Sequence, residues 1–168
     1  RGGADNVYFR HAELFESMGW RNAFFAMHHP QNLPSPWSDG WADELQFGRD
    51  YSVARKVVMA TKVVWSFEAQ RKLRRMLAAF RPDVAHLHNI YHHLSPSILP
   101  EFHAAGVPVV MTAHDLKLAC PSNKMFNDTG VCERCKGGNY LNVVRHACVQ
   151  GSRAASAIVA VEAWTHRA

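Results

Sequence analysis

Val107-Pro108-Val109-Val110-Met111-Thr112-Ala113-His114-Asp115 is an apolar stretch of strand character that closes on a polar His-Asp pair. A buried strand ending this way is how open α/β sheets present chemistry at their carboxyl edge. Two upstream runs read alike. Residues 22–27 (Asn22-Ala23-Phe24-Phe25-Ala26-Met27) predict a buried strand running into His28-His29, and residues 84–88 (Val84-Ala85-His86-Leu87-His88) predict another running into Asn89. Helical patterns separate the three. Ala4, Val7, Tyr8, His11, Leu14, Phe15 and Met18 recur at spacings of three and four, which is one face of an amphipathic helix. Gly19 stands where a helix C-terminal glycine belongs. A single helix is expected from about Tyr51 to Phe80, with Arg71, Lys72, Arg74 and Arg75 near its end and Arg81-Pro82-Asp83 breaking it. A short helix is expected over about 96–105, and further helical patterns lie near 139–149 and 152–167. Residues 29–50, with Pro30, Pro34 and Pro36, read as a long irregular excursion. The alternation predicts an α/β fold with a Rossmann-like, doubly wound parallel sheet. Ligands would bind beyond the carboxyl strand ends, where His28-His29, His88-Asn89 and His114-Asp115 are expected to converge.

Composition sets the bounds. The 168 residues suffice for one domain with a real core, and 48% apolar with 20% charged residues is ordinary for a globular protein. A formal charge of +5 suits anionic small molecules, a membrane surface or nucleic acid without choosing among them. Nucleic acid is set aside, because no aromatic-basic motif accompanies the charge. No apolar run reaches the roughly 20 residues of a membrane span, and no secretory signal is visible. A cytoplasmic setting follows as the expectation. The chain opens on Arg1-Gly2-Gly3 and stops at Ala168, and it is read as a fragment incomplete at both ends.

Four cysteines fall in one stretch and none elsewhere: Cys120-x11-Cys132-x2-Cys135-x12-Cys148. A C-x-x-C turn chelates a tetrahedral metal well, since both thiolates point to one side of a tight knuckle. A structural four-thiolate zinc site is the favoured reading. Two disulfides and free thiols stay open, and His146 is a substitute ligand. No catalytic cofactor is expected.

Several segments resemble the N-terminal half of a GT-B glycosyltransferase of the large retaining family 4. They are Gly2-Gly3 before a helix, Arg81-Pro82-Asp83-Val84-Ala85-His86-Leu87-His88-Asn89, and Gly106 through Asp115. Cys120-Pro121 with Cys132-x-x-Cys135 resembles a bacterial subgroup that builds polysaccharides. The resemblance implies an acceptor-binding domain over residues 1–168, with a cysteine-rich insertion at about 116–150. It also implies a strand ahead of Gly2 and a separate C-terminal donor domain with a paired-glutamate motif, neither of which this sequence contains. The full enzyme would transfer a hexose-like group, with retention, from a nucleotide-sugar to a glycan or lipid-linked acceptor, and this portion alone would be inactive. The basic end of the 51–80 helix would then be a solvated face or a peripheral contact with anionic lipid at the inner face of the cell membrane.

Site residues follow residue by residue. The resemblance gives His114 the central role, contacting the donor sugar in the cleft; an imidazole can exchange hydrogen bonds with a sugar hydroxyl near neutral pH. Asp115 would orient that ring or cap the next segment. Gly2 and Gly3 would let backbone N–H groups approach a phosphate. His88, Asn89 and Tyr91, with His92 and His93, would reach acceptor hydroxyls or shape the cleft. His86 is expected to point opposite to His88 and to pack as a core or helix-facing histidine. The competing reading is a non-catalytic, zinc-stapled ligand-binding module.

Overall fold

The structure is a computed structural model, and it describes residues 2–45 and 52–167. Ten elements follow in chain order: α1 (Gly3–Ser17), α2 (Val53–Val64), α3 (Phe67–Phe80), β1 (Ala85–His88), α4 (Leu99–Ala104), β2 (Val109–Thr112), β3 (Phe126–Asn127), β4 (Gly130–Val131), α5 (Leu141–Arg145) and α6 (Arg153–Thr165). They divide into two compact units. The first holds the described residues up to Leu45 together with Ser66–His114; the second holds Ser52–Trp65 together with the residues from Asp115 onward.

In the first unit β1 and β2 pair in parallel, with Ala85 opposite Val109 and His88 opposite Thr112. Leu73 and Leu77 of α3, Leu87 of β1, and Ile98 and Phe102 around α4 form one buried cluster. The burial of β1 alternates: Ala85 and Leu87 face this core, and His86 and His88 lie on the other face. The expectation that His86 opposes His88 is therefore corrected. A strand has a period of two, so residues i and i+2 share a face. Glu101 is buried and takes a two-pronged bond from Arg74, at 2.7 and 2.8 Å, which holds its carboxyl below the usual range despite burial.

Four further expectations change. Residues 22–27 run extended but form no strand; one parallel bridge, Met27 to Ala42, is what they contribute. The irregular excursion supplies core residues, because Trp41 is buried and donates its Nε1 proton to the Phe24 carbonyl at 2.6 Å. The segment 46–51 lies outside the described residues, and with it the Tyr51 start of the long helix. That helix is two helices. Ser66 leaves helical geometry (φ −105°, ψ 90°), and its hydroxyl accepts the Ala69 N–H at 3.2 Å, an N-cap that starts α3 afresh. In β2, Val109 and Val110 are exposed rather than buried.

The second unit holds α2, β3, β4, α5 and α6. β3 and β4 make a two-residue antiparallel ladder, and α2 and α5 both pack on α6. Its buried apolar cluster is Val143, Val159 and Ala160. Lys117 Nζ meets Glu162 Oε2 at 2.7 Å, with both side chains almost wholly buried. No helix among the described residues is long and apolar enough to cross a membrane.

Candidate functional site

The carboxyl edge of the parallel pair is built by spacing alone. His88 is the last residue of β1, and His114 lies two residues beyond the end of β2. The parallel register brings them level, and His88 Nδ1 lies 2.8 Å from His114 Nε2. That bond leaves the Nδ1 of His114 as the ring nitrogen not engaged in it. Below this pair, His86 Nε2 bonds the Thr112 hydroxyl at 2.8 Å.

α1 covers these rings. Tyr8 and His11 are three apart, so they share one helix face. His11 stacks on His86 with centroids 5.1 Å apart, and Tyr8 meets His88 edge-on at 5.4 Å. His86 and His88 stand 4.4 Å apart. Burial, reinforced by the neighbouring imidazoles His86, His114 and His11, pushes His88 down to about 4. Burial and then His11 and His114 lower His86 as well. Burial alone raises Tyr8 to about 12. At neutral pH His86 and His88 are thus uncharged, and each can both donate and accept. Among the described residues, His11, His86 and His88 are the one set of three His, Cys, Asp or Glu side chains whose ligand atoms all lie within 4.8 Å of one another. The Nδ1 of His11 is buried without a hydrogen-bond partner.

The other expected residues are placed as follows. Gly2 caps α1, and its N–H donates to the Asp5 carboxylate at 2.8 Å, so a side-chain anion already occupies this helix end. Both Gly2 and Gly3 have open space where a Cβ would stand. Asn89 is exposed in the left-handed region (φ 44°) and turns the chain out of β1. Tyr91 is buried. Asp115 belongs to the second unit, and its Oδ1 accepts the Lys117 N–H at 2.9 Å, capping the next turn. The ring of His28 packs near Trp41, at 5.9 Å. Among the strand-end residues, then, it is His88 and His114 that the structure joins. The sequence reading left Tyr8, His11 and Thr112 out of the site. The shared face of Tyr8 and His11, with the two-residue period of β1, was the signal for them.

Beside β1 lies a cavity of about 720 Å³ lined by α1, residues 19–25, α3 and β1. In the second unit, Cys120, Cys132, Cys135 and Cys148 all line one pocket of about 530 Å³, together with the exposed His146, and all four are free thiols. Of the four basic residues of α3, Lys72 is paired with Glu68 and Asp43 and Arg74 with Glu101, while Arg71 and Arg75 are exposed.

Comparison with curated proteins and with solved structures returned no match. The model of Glycosyltransferase Family 4 matches residues 1–168, the whole chain. The parallel β1–β2 pair in an α/β setting fits a GT-B Rossmann-like domain, and the chain belongs to Glycosyltransferase Family 4.

Proposed function

We propose that this chain is the acceptor-side, N-terminal domain of an enzyme that moves a sugar from a nucleotide-sugar to a glycan or lipid-linked acceptor with retention. The observation that carries the proposal is the 2.8 Å His88–His114 pair at the carboxyl edge of β1 and β2. Retaining transfer in such a fold rests on positioning and on stabilising the leaving phosphate more than on a strong base. A neutral imidazole fixed by its neighbour suits positioning. His88 holds the His114 ring in one orientation and one tautomer, and His114 Nδ1 then bonds a sugar hydroxyl. A low proton affinity keeps the His88 ring uncharged at neutral pH.

The remaining residues have lesser parts. Asn89 stands exposed at the exit of β1 and is placed to meet acceptor hydroxyls, whereas the buried Tyr91 shapes the wall behind it. Gly2 and Gly3 would greet a phosphate only when Asp5 releases the Gly2 N–H. The cavity along β1 supports the further strand expected ahead of Gly2, because it borders β1 where a neighbouring strand would lie. The nucleotide-sugar would be held by a second domain, so this portion alone would not turn over. Arg71 and Arg75 are the cations left for contact with anionic lipid.

The test uses the parent enzyme. Wild-type protein should transfer sugar from at least one nucleotide-sugar in a panel of donors and acceptors. His114→Ala should lower kcat by about 10²-fold or more, the scale of one lost transition-state hydrogen bond, with the circular dichroism spectrum unchanged. No turnover with any donor, or full turnover in a folded His114→Ala enzyme, would sink the proposal.

A further inference from the structure

We propose that Cys120, Cys132, Cys135 and Cys148 together bind one structural zinc ion, and that this ion does for the second unit what an apolar core does for the first. The inference is independent of the transfer chemistry, because it concerns the other unit.

Convergence is the first observation. The four cysteines come from four separate places: the turn after Asp115, the residue after β4, the knuckle three residues on, and the turn after α5. They nonetheless line one pocket, and none is in a disulfide. Four thiols in a single pocket suit a tetrahedral, thiophilic ion, and a site with four protein ligands is closed and therefore structural.

The surroundings are those of ligated sulfur. Cys120 Sγ lies 3.2 Å from the Ser122 hydroxyl. An outer hydrogen bond of this kind fixes ligand orientation. Zinc with four thiolates carries a net charge of −2. The same pocket is lined by Lys124, Arg134 and Lys136 and by Asp128 and Glu133, with Lys136 3.6 Å from Glu133, so cations there outnumber carboxylates by one.

Need is the third observation. The buried apolar cluster here is three residues, Val143, Val159 and Ala160, and Cys135 and Cys148 pack directly against it. So small a core calls for a staple such as a metal or disulfides. Binding must also move the side chains. The sulfurs do not form a set of three within 4.8 Å of one another, whereas a tetrahedral site with Zn–S bonds of about 2.3 Å sets its sulfurs about 3.8 Å apart. On binding, the four thiols release up to four protons to solvent, and no electron transfer is involved.

The experiment is metal analysis of the chain purified in reductant without chelator. The expected result is about one zinc per chain. Cobalt in place of zinc should give the intense visible bands of a tetrahedral thiolate site. Cys132→Ser and Cys148→Ser should each weaken zinc binding by more than the ~10–100-fold cost of losing an outer-shell partner. Where a variant fails to fold, thiol counting on the wild-type chain decides: four thiols protected from a reagent should become reactive once a chelator is added. Less than about half an equivalent of zinc, iron in its place, two disulfides in the reduced preparation, or full zinc affinity in Cys148→Ser would each overturn the assignment.

Discussion

The two units of this chain are held together by different physics. The first buries a contiguous cluster of leucines, isoleucines, phenylalanine, valine and alanines around a parallel strand pair, and His88 at the sheet edge is a neutral ring at neutral pH. The second has, among its described residues, a buried apolar cluster of only Val143, Val159 and Ala160, and it leans on an internal ion pair and a cysteine pocket. Apolar burial is spread over many contacts and fails gradually. A buried ion pair and a ligand cluster are few and specific, so losing one partner leaves an uncompensated group behind. Changes of similar size should therefore act very differently in the two units.

The largest effect belongs to the second unit. Lys117→Met leaves the Glu162 carboxylate buried without its 2.7 Å cation, and the expected loss is about 3–5 kcal/mol. Replacing both partners, Lys117→Met with Glu162→Gln, should recover most of that loss in a denaturant melt. A negligible effect of Lys117→Met would mean that the pair is not what holds α6 to the loop at residues 117–121.

A smaller effect is expected in the first unit, and it is a pH dependence. His88 and His86 titrate below the ordinary histidine value when folded, so the unfolded chain binds more protons between about pH 6.5 and pH 4. Stability contributed by these neutral rings is complete above pH 6.5 and is lost as pH falls through that window. Both rings are only half-buried, so water screens the penalty. His88→Gln should flatten this part of the pH–stability curve; a curve as steep as that of the wild type would remove His88 as its source.

How far the sequence could be read follows from the same contrast. Local periodicity gave α1, β1, β2 and the stretch at 96–104 nearly in place, because each shows its pattern within a few residues. The break at Ser66 is only weakly legible: a serine with Glu68 in the next turn is an N-cap signal, but apolar residues continue the helical spacing across it. The two-residue period of β1 puts His86 and His88 on one face, and that much is legible from the sequence. Residues 22–27 have strand composition but no ladder, since pairing is decided by long-range neighbours that composition does not reveal. The same limit hid the division of the chain, where Ser52–Trp65 joins residues from Asp115 onward across a long separation. The candidate site was legible in its two end histidines. Its roof of Tyr8 and His11 is legible only as a shared helix face, because nothing local says which strand a helix will cover.

The most direct test of the contrast is native-state hydrogen exchange followed by mass spectrometry, with and without a zinc chelator, in reductant at neutral pH. Exchange should accelerate in residues 141–165 when the chelator is added, while residues 85–88 and 109–112 keep their protection. Unchanged exchange throughout, or equal loss of protection in both sets, would contradict the account that the second unit depends on its cysteine-bound ion and the first on its apolar core.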